Sequence, residues 1–345
     1  STNNVVNTIC SFSANLVDKK NQLDIWGESG KTFCMNFSLY NANTKIDSTN
    51  TICLDNSTHQ YNLIGTNGDT LFITITTVAS EFNNKPHMLV QLYSRVTDKL
   101  AVKITGTEGT VNMWQGIVIN TSGYYGTFAK SNYTWAVNGD NLMTCGDLVS
   151  TEQALAVAAY NSKPSFTNIS GDNLSWQGYA KGAIALFSSK GPTADGRVKP
   201  DIAGPGLVLA SAVSGVDSTY LVGGDDYSSV IATGVSPING QTYSYAAAGG
   251  TSMSSPAVSG IVALLLQVDS TLNPLEVKDL LFNTAILDTK TGAIPDSGST
   301  IWGHGKVNAY GAMASLLGVL SVKNGTSNLL CNIFPNPSNG IYQLE

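Results

Sequence analysis

The pattern of hydrophobic and polar positions changes near residue 140. Before that point, short apolar or β-branched runs are separated by Gly, Asn and Asp, and strict alternation is clear at 70–76, Thr-Leu-Phe-Ile-Thr-Ile-Thr. A period of two places every second side chain on one face of a strand. The pattern predicts an all-β sandwich built from short strands without a long helix. The predicted strands are 22–26, 32–40, 61–64, 70–78, 87–93, 100–104 and 133–137.

Helical patterns begin after Gly146. The segment 183–187, Ala-Ile-Ala-Leu-Phe, predicts a strand, whereas 252–268 is apolar on nearly every face and predicts a buried helix. Asn273 followed by Pro274 predicts the capped start of an amphipathic helix, because Asn caps well and proline is tolerated at the first helical position. Strands alternating with helices predict an α/β domain with a mostly parallel sheet.

Length and composition limit the number of domains and the kinds of partner. The chain has 345 residues, of which 42% are hydrophobic and 12% charged, so we expect two domains and a short appendage. Its net charge is -6 and it has no dense basic run, which argues against nucleic acid and anionic membranes as partners. The longest apolar stretch, 257–268, is shorter than the roughly 20 residues of a membrane helix, so no membrane insertion is expected.

Two further residue types bear on the chemistry. The five cysteines, Cys10, Cys34, Cys53, Cys145 and Cys331, cannot all pair within one chain. They are either buried small side chains or, in an extracellular protein, include one or two bridges among the first four. The three histidines are scattered and form no metal-binding pattern, so the sequence identifies no metal ligand.

Ser252 stands where a run of small residues meets a long apolar segment. The small residues allow a substrate to approach the backbone closely, and the helix behind them provides a rigid support. At a helix N-terminus, free backbone N–H groups can stabilise an oxyanion next to the hydroxyl. Ser252 is therefore either a simple helix cap or a nucleophile for acyl transfer.

Three sequence blocks resemble the subtilases, the subtilisin-like serine proteases. The block 250–256, Gly-Thr-Ser-Met-Ser-Ser-Pro, matches their serine block at every position. The block 187–206 resembles the segment upstream of that serine, with Gly204 where the family usually has Ala, and 302–309 resembles a later glycine-rich element. The resemblance implies that Ser252 is the nucleophile of a secreted endopeptidase. Gly250, Thr251 and Pro256 would support the serine loop and the oxyanion hole.

The other catalytic blocks of that family do not precede Ser252. His59, His87 and His304 lack the following Gly-Thr, and no Ala-Gly-Asn segment supplies the oxyanion asparagine. The tripeptide 296–298, Asp-Ser-Gly, copies the aspartate block but lies downstream, so we interpret it as a decoy. We therefore expect this chain alone to be inactive and an N-terminal half to supply Asp, His and Asn. That half is either a separate processed chain or a preceding segment.

Looser resemblances define the remaining parts of the chain. Leu-Asp-Ile-Trp at 23–26, followed by the strand 32–40, resembles the opening of a jelly-roll insert found in some subtilases. The segment 332–340 resembles the start of a type IX secretion sorting domain. These give a jelly-roll-like insert at 1–140, the C-terminal part of a catalytic domain at 141–319, and a linker with the start of a sorting domain at 320–345.

The resemblance also carries expectations about location and partners. It implies a secreted or cell-surface enzyme that acts on proteins or peptides and requires no cofactor. Structural calcium occurs in the family, but this sequence identifies no ligands for it. The alternative function is a degenerate subtilase that serves as a non-catalytic binding or scaffolding module.

Overall fold

The computed structural model describes residues 4–11, 19–116, 126–176 and 178–318. The chain divides into two compact units, Ser1–Asn141 and Leu142–Glu345. The sorting-domain resemblance at 332–340 and Cys331 lie outside the described residues.

The described part of the first unit contains strands and no helix, as the alternating pattern predicts. All of its strand pairs are antiparallel. One sheet has the order β11-β1-β9-β3-β4, with β5 also paired to β3, and the other has the order β10-β2-β8-β7-β6. The strands are β1 Asn4–Ser11, β2 Lys19–Gly27, β3 Phe33–Asn41, β4 Thr44–Ser48, β5 Ile52–Cys53, β6 Thr58–Ile64, β7 Thr70–Ala79, β8 Pro86–Ser94, β9 Lys99–Gly106, β10 Val111–Gly116 and β11 Thr127–Ala129.

One apolar core is shared by the two sheets of this unit. Phe37 and Leu39 of the first sheet join Leu23, Ile73 and Val90 of the second in a single buried cluster. Because every second residue of β7 and β8 is buried, these strands present one face to the core and the other outward. The two sheets therefore pack face to face as a sandwich.

The described cysteines are a mixture of bridged and free residues. Cys34 of β3 and Cys53 of β5 are register partners and form a disulfide. Cys10 and Cys145 are free. Burial raises the pKa of the Cys10 thiol to about 12, so this thiol is unreactive at neutral pH.

The strand predicted at 133–137 is wrong, because this segment forms turns. The N–H of Ala136 donates to the carbonyl of Tyr133 over 3.2 Å, and Val137 donates to Asn7 over 2.8 Å. Tyr133 and Ala136 are buried in a small cluster with Ile9 and Ala101. Tyr133 and Ala136 are thus buried by packing against a sheet without becoming part of one, whereas Val137 is 49% exposed.

The described part of the second unit has a four-stranded sheet with the order β12-β15-β17-β16, a separate β13–β14 hairpin and three α-helices. Its strands are β12 Val157–Asn161, β13 Ser165–Thr167, β14 Asn173–Ser175, β15 Ile202–Ala212, β16 Val230–Val235 and β17 Thr242–Gly249. Its helices are α1 Thr251–Val268, α2 Pro274–Asn283 and α3 Ala309–Leu316.

The prediction of a mostly parallel sheet is wrong for the described strands. Only β12 and β15 pair in parallel, whereas β15–β17 and β16–β17 are antiparallel. Parallel neighbours need a crossover connection, which is usually a helix. Here no α-helix lies between β15 and β17, and all three helices come after β17.

Two further local predictions have opposite outcomes. The capped helix is confirmed. The Asn273 side chain accepts hydrogen bonds from the N–H groups of Leu275 and Glu276, and the Glu276 carboxylate accepts one from the Asn273 N–H. The predicted strand at 183–187 is wrong. It forms turns, with an isolated bridge between Tyr160 and Ile184.

Helix α1 is confirmed as a helix but is not buried on every face. Val258 and Leu265 join Ile202 of β15 in the core of the second unit. On the other side, Leu264 and Leu266 are 50% and 37% exposed, because no described layer covers them.

Counted from Thr251, α1 is also longer than the apolar stretch in the sequence. Its 18 residues, with mean hydropathy 1.4, would suffice to cross a membrane by length and composition, a test that core helices of soluble proteins also pass.

Truncating a core aromatic residue tests the sandwich. We expect Phe37→Ala to lower the free energy of unfolding by about 3 to 5 kcal/mol, because it leaves a cavity between the sheets. The matched control is Phe82→Ala, at a side chain that is 98% exposed, with an expected change within about 0.5 kcal/mol. Urea denaturation followed by circular dichroism measures both, and equal effects would contradict the shared core.

Candidate active site

Ser252 is the second residue of α1, directly after a sharp turn from β17. Gly250 makes this turn with φ +152°, a conformation that residues with a side chain rarely adopt. Its N–H donates to the carbonyl of Gly206 in β15 over 2.7 Å. The turn that carries the serine is therefore hydrogen-bonded to the central strand of the unit.

The hydroxyl of Ser252 is exposed and makes no hydrogen bond to another described residue. At the helix start, Met253 and Ser254 donate their N–H groups to the Gly250 carbonyl over 3.1 and 3.4 Å. The N–H groups of Thr251 and Ser252 have no acceptor within the described part of the chain. Free donors at the positive end of a helix favour a developing negative charge, so the turn places an accessible hydroxyl beside free N–H groups.

Ser254 attaches the same helix end to β15. Its side chain is fully buried, and Oγ donates to the Gly204 carbonyl over 2.8 Å. An added Cβ would lie 2.9 Å from Val258 Cγ2 at Gly204 and 2.8 Å from Ser254 Oγ at Gly206, where Ala159 Cβ of β12 is closer still at 2.5 Å. Both positions are therefore glycine because α1 packs directly on the strand backbone.

The remaining predicted support residues lie on the same helix. Thr251, half-buried, is its first residue, and Pro256, exposed, lies inside it. Proline has no N–H, so Pro256 leaves the Ser252 carbonyl without its helical donor. The structure thus places Gly250, Thr251 and Ser252 together at the helix start and Pro256 one turn further along.

Two of the histidines lie in the β sandwich with carboxylate partners. His59 Nε2 lies 3.0 Å from both Asp55 Oδ2 and Ser57 Oγ. This is a Ser, His and Asp group, but both contacts use the same ring nitrogen, whereas a triad needs the carboxylate and the hydroxyl on opposite nitrogens. His87 Nε2 lies 2.7 Å from Asp24 Oδ1.

His304 has contacts at both ring nitrogens. Nδ1 and Nε2 each lie 3.2 Å from a backbone carbonyl, those of Asp201 and Asp296, and the ring stacks on Phe282 at 3.8 Å. Asp296 lies within a turn closed by a hydrogen bond from the Gly298 N–H to the Pro295 carbonyl. None of the described contacts of His304 is with Ser252.

A comparison with known families decides the identity of the chain. Residues 104–315 match the subtilase family. The chain belongs to the subtilase family. It is 33% identical to Bacillopeptidase F of Bacillus subtilis over 142 residues, which cover 41% of this chain and 8% of the relative. It is 34% identical to the serine protease AprX of the same organism over 168 residues, which cover 45% of this chain and 34% of the relative.

Two other subtilase comparisons add fold and context. A protein of Arabidopsis thaliana named CO(2)-response secreted protease is 28% identical over 43% of this chain and 18% of its own length. The structure of the Clostridium perfringens CspB protease aligns with a TM-score of 0.61 at 17% identity, covering 91% of this chain and 55% of that one. At this identity the likeness shows the fold alone. The matches thus span only part of each of these proteins.

A buried ion cluster in this subtilase is not evident from sequence. Lys199 Nζ lies 2.6 Å and Lys278 Nζ 3.4 Å from the Asp201 carboxylate, and all three side chains are less than 10% exposed. The carboxylate also accepts from Ala156 N–H over 2.7 Å, and Lys199 donates to the Ala154 carbonyl over 2.8 Å. Burial lowers the pKa of Lys278, against the opposing effect of Asp201. The cluster holds the approach to β12 against the start of β15.

The sequence signal for this cluster is incomplete. Lys199 and Asp201 belong to the Lys-Pro-Asp segment of the second family block, but Lys278 is 77 residues from Asp201 and nothing local identifies it. Within the described ranges, no group of three His, Cys, Asp or Glu side chains could hold a metal ion. Structural calcium is a feature of the family for which this chain identifies no ligands.

Removing the Ser254 hydroxyl tests the attachment of the serine turn. We expect Ser254→Ala to cost about 1 to 3 kcal/mol, because the buried Gly204 carbonyl loses its donor. The matched control is Ser259→Ala, an exposed serine of α1 that bonds its own helix, with an expected change within about 0.5 kcal/mol. Thermal unfolding compares them, and an equally small effect at Ser254 would show that the attachment does not stabilise the unit.

The ion pair of Asp288 with Lys306 predicts acid sensitivity. Lys306 Nζ lies 2.6 Å from Asp288 Oδ2, and this hydrogen bond lowers the pKa of the Asp288 carboxyl from 3.8 to about 2. Because the folded carboxyl has a lower pKa than the unfolded one, the ion pair stabilises the folded state fully at pH values above 3.8. This stabilisation is lost as the pH falls through about 2. We expect Asp288→Asn and Lys306→Met each to flatten the loss of thermal stability from pH 5 to pH 2. If thermal stability fell with pH as steeply in both variants as in the parent protein, this expectation would be wrong.

Proposed function

We propose that this chain is the serine-bearing half of a secreted subtilisin-like endopeptidase. The observation that carries the proposal is the exposed Ser252 hydroxyl at the start of α1, on a turn bonded to β15, in a member of the subtilase family. Relatives named as proteases support a proteolytic activity in general. The substrates are proteins or peptides.

In this proposal Ser252 is the nucleophile. Its Oγ attacks the peptide carbonyl while a histidine supplied by the other half takes the proton, and the same histidine then protonates the leaving amine. The Ser252 N–H, free at the helix start, donates to the oxyanion. Water then hydrolyses the acyl-enzyme and restores the hydroxyl. Gly250 keeps the turn in place, and Thr251 and Pro256 flank the nucleophile on α1.

The exposed apolar surface of the second unit supports a complementary half. Leu264, Leu266 and Val268 of α1 lie 37% to 50% exposed on one helix. Within the described sheet, β16 pairs with β17 on one side and has no strand partner on the other. Open edges and apolar faces are normally covered in a stable domain. We propose that the segment carrying Asp, His and the oxyanion Asn packs here, in the same polypeptide or in a separate one.

The first unit is proposed to be a jelly-roll-like insert. Successive strands β1, β2 and β3 alternate between the two sheets, and so do β8, β9 and β10. The pairs β1–β9 and β2–β8 are nested along the chain. This arrangement of antiparallel strands in two sheets supports a jelly roll.

Export from the cytoplasm is part of the same proposal. The Cys34–Cys53 disulfide supports an oxidising compartment, and one relative is itself named a secreted protease. The type IX sorting segment at 320–345 stays a prediction from sequence.

Fluorophosphonate labelling tests the nucleophile. In the full-length protein, with an upstream half that carries the Asp and His blocks, we expect stoichiometric labelling at Ser252. The isolated chain should label roughly a millionfold more slowly, because the base is absent. Mass spectrometry of the labelled peptide identifies the serine.

Two serine variants of the full-length protein make this test specific. Ser252→Ala should abolish labelling, whereas Ser255→Ala, at an exposed serine of the same helix, should retain it. Rapid labelling of the isolated chain would show that a histidine of this chain supplies the base. A folded full-length protein that never labels would favour the non-catalytic scaffold.

A further inference from the structure

We propose that the outward face of the β10-β2-β8-β7-β6 sheet binds a neutral polysaccharide. This face belongs to the first unit and shares no residue with the serine turn. Its side chains come from the outward positions of β2, β6, β7 and β8, which alternate with the buried core positions. The inference therefore stands independently of the proposed protease activity.

A fixed pair of flat rings lies at one end of this face. Trp26 of β2 and His87 of β8 are register partners, and their rings stack at 4.0 Å with an interplanar angle of 13°. Asp24 Oδ1 accepts from Trp26 Nε1 over 2.9 Å and lies 2.7 Å from His87 Nε2. One carboxylate thus holds both rings, so little side-chain entropy is lost when a ligand packs on them.

A second aromatic pair lies at the other end. Phe72 of β7 and Tyr93 of β8 are register partners with ring centroids 5.9 Å apart. Phe72 is 42% exposed, although the core of the sandwich is one side chain away on the same strand. His87 and Tyr93 are six residues apart on β8, so the two pairs are separated by about 20 Å along the strand.

A row of unpaired amide and hydroxyl groups lies between these pairs. Gln22, Gln91, Thr74 and Gln60 are consecutive register partners across β2, β8, β7 and β6, a width of about 14 Å. Within the described part of the chain, their side chains make no hydrogen bond to another residue. The row contains no ionisable group, so it offers donors and acceptors without charge.

These features together match the chemistry of a hexose chain. A pyranose ring presents an apolar C–H face, which packs on a flat aromatic ring, and a rim of hydroxyls, which need both donors and acceptors. The face provides apolar rings at its two ends and free amides between them. Lys20 Nζ and Arg95 Cζ lie 5.9 and 5.7 Å from the centre of the Tyr93 ring, so these charges lie at one end of the face. The row between the aromatic pairs is uncharged and complements a neutral polysaccharide lying along the strands.

Affinity electrophoresis of the full-length protein tests this proposal. The gels contain β-1,4-glucan, β-1,3-glucan, xylan, mannan or amylose, and retardation gives the dissociation constant for each. We expect at least one of these polymers to retard the protein. Phe72→Ala and Trp26→Ala should each weaken that binding roughly tenfold or more, since each removes a packing ring.

Control variants and measurements decide the outcome. Phe82→Ala removes a far more exposed phenylalanine from the β7–β8 turn and should bind as the parent does. Circular dichroism confirms the fold of Trp26→Ala, and Phe72→Ala tests the same face without removing a ring that Asp24 holds. Migration unaffected by all five polymers overturns the proposal, as does equal retardation of the three variants.

Discussion

The position of Ser252 depends on the close contact between the start of α1 and the backbone of β15. The contact consists of two hydrogen bonds, Gly250 N–H to Gly206 and Ser254 Oγ to Gly204. It requires strand positions without side chains, since an added Cβ at Gly204 or Gly206 would overlap its neighbours. The helix supplies the free N–H groups, and the strand fixes their direction. The chemistry of Ser252 therefore depends on residues some 46 to 48 positions earlier in the chain.

The features that sequence predicts well are those with a local physical cause. The alternation at 70–76 follows from a strand with one buried face, and β7 has this pattern. Asn273, Pro274 and Glu276 specify a helix start through bonds that span three residues, and that start is present. The serine block is likewise contiguous, so its place at a helix N-terminus could be read directly.

The features that sequence reasoning missed depend on distant parts of the chain. Alternation and apolar runs do not show whether a segment pairs with a strand or packs on a sheet, which is why 133–137 and 183–187 were wrong. The direction of β17 relative to β15 is set by the connection between them and not by their residues. The apolar character of α1 predicts that all its faces are covered. It does not show that the layer covering Leu264 and Leu266 lies outside the described residues. The sequence around Lys278 does not indicate that this lysine pairs with the buried Asp201.

The buried cluster of Lys199, Asp201 and Lys278 constrains how this sequence can change. Replacing Asp201 leaves two amines in the interior without their carboxylate, which typically costs about 3 to 5 kcal/mol. Replacing Lys199 or Lys278 is also unfavourable, by about 1 kcal/mol, because the carbonyl of Ala154 or Glu152 loses its donor. Replacing all three with apolar side chains of similar volume is often neutral or stabilising. Each single step towards such a core is therefore unfavourable, although its end point is not. Divergence at these positions is expected to be concerted, so that homologues keep the whole cluster or have lost it entirely.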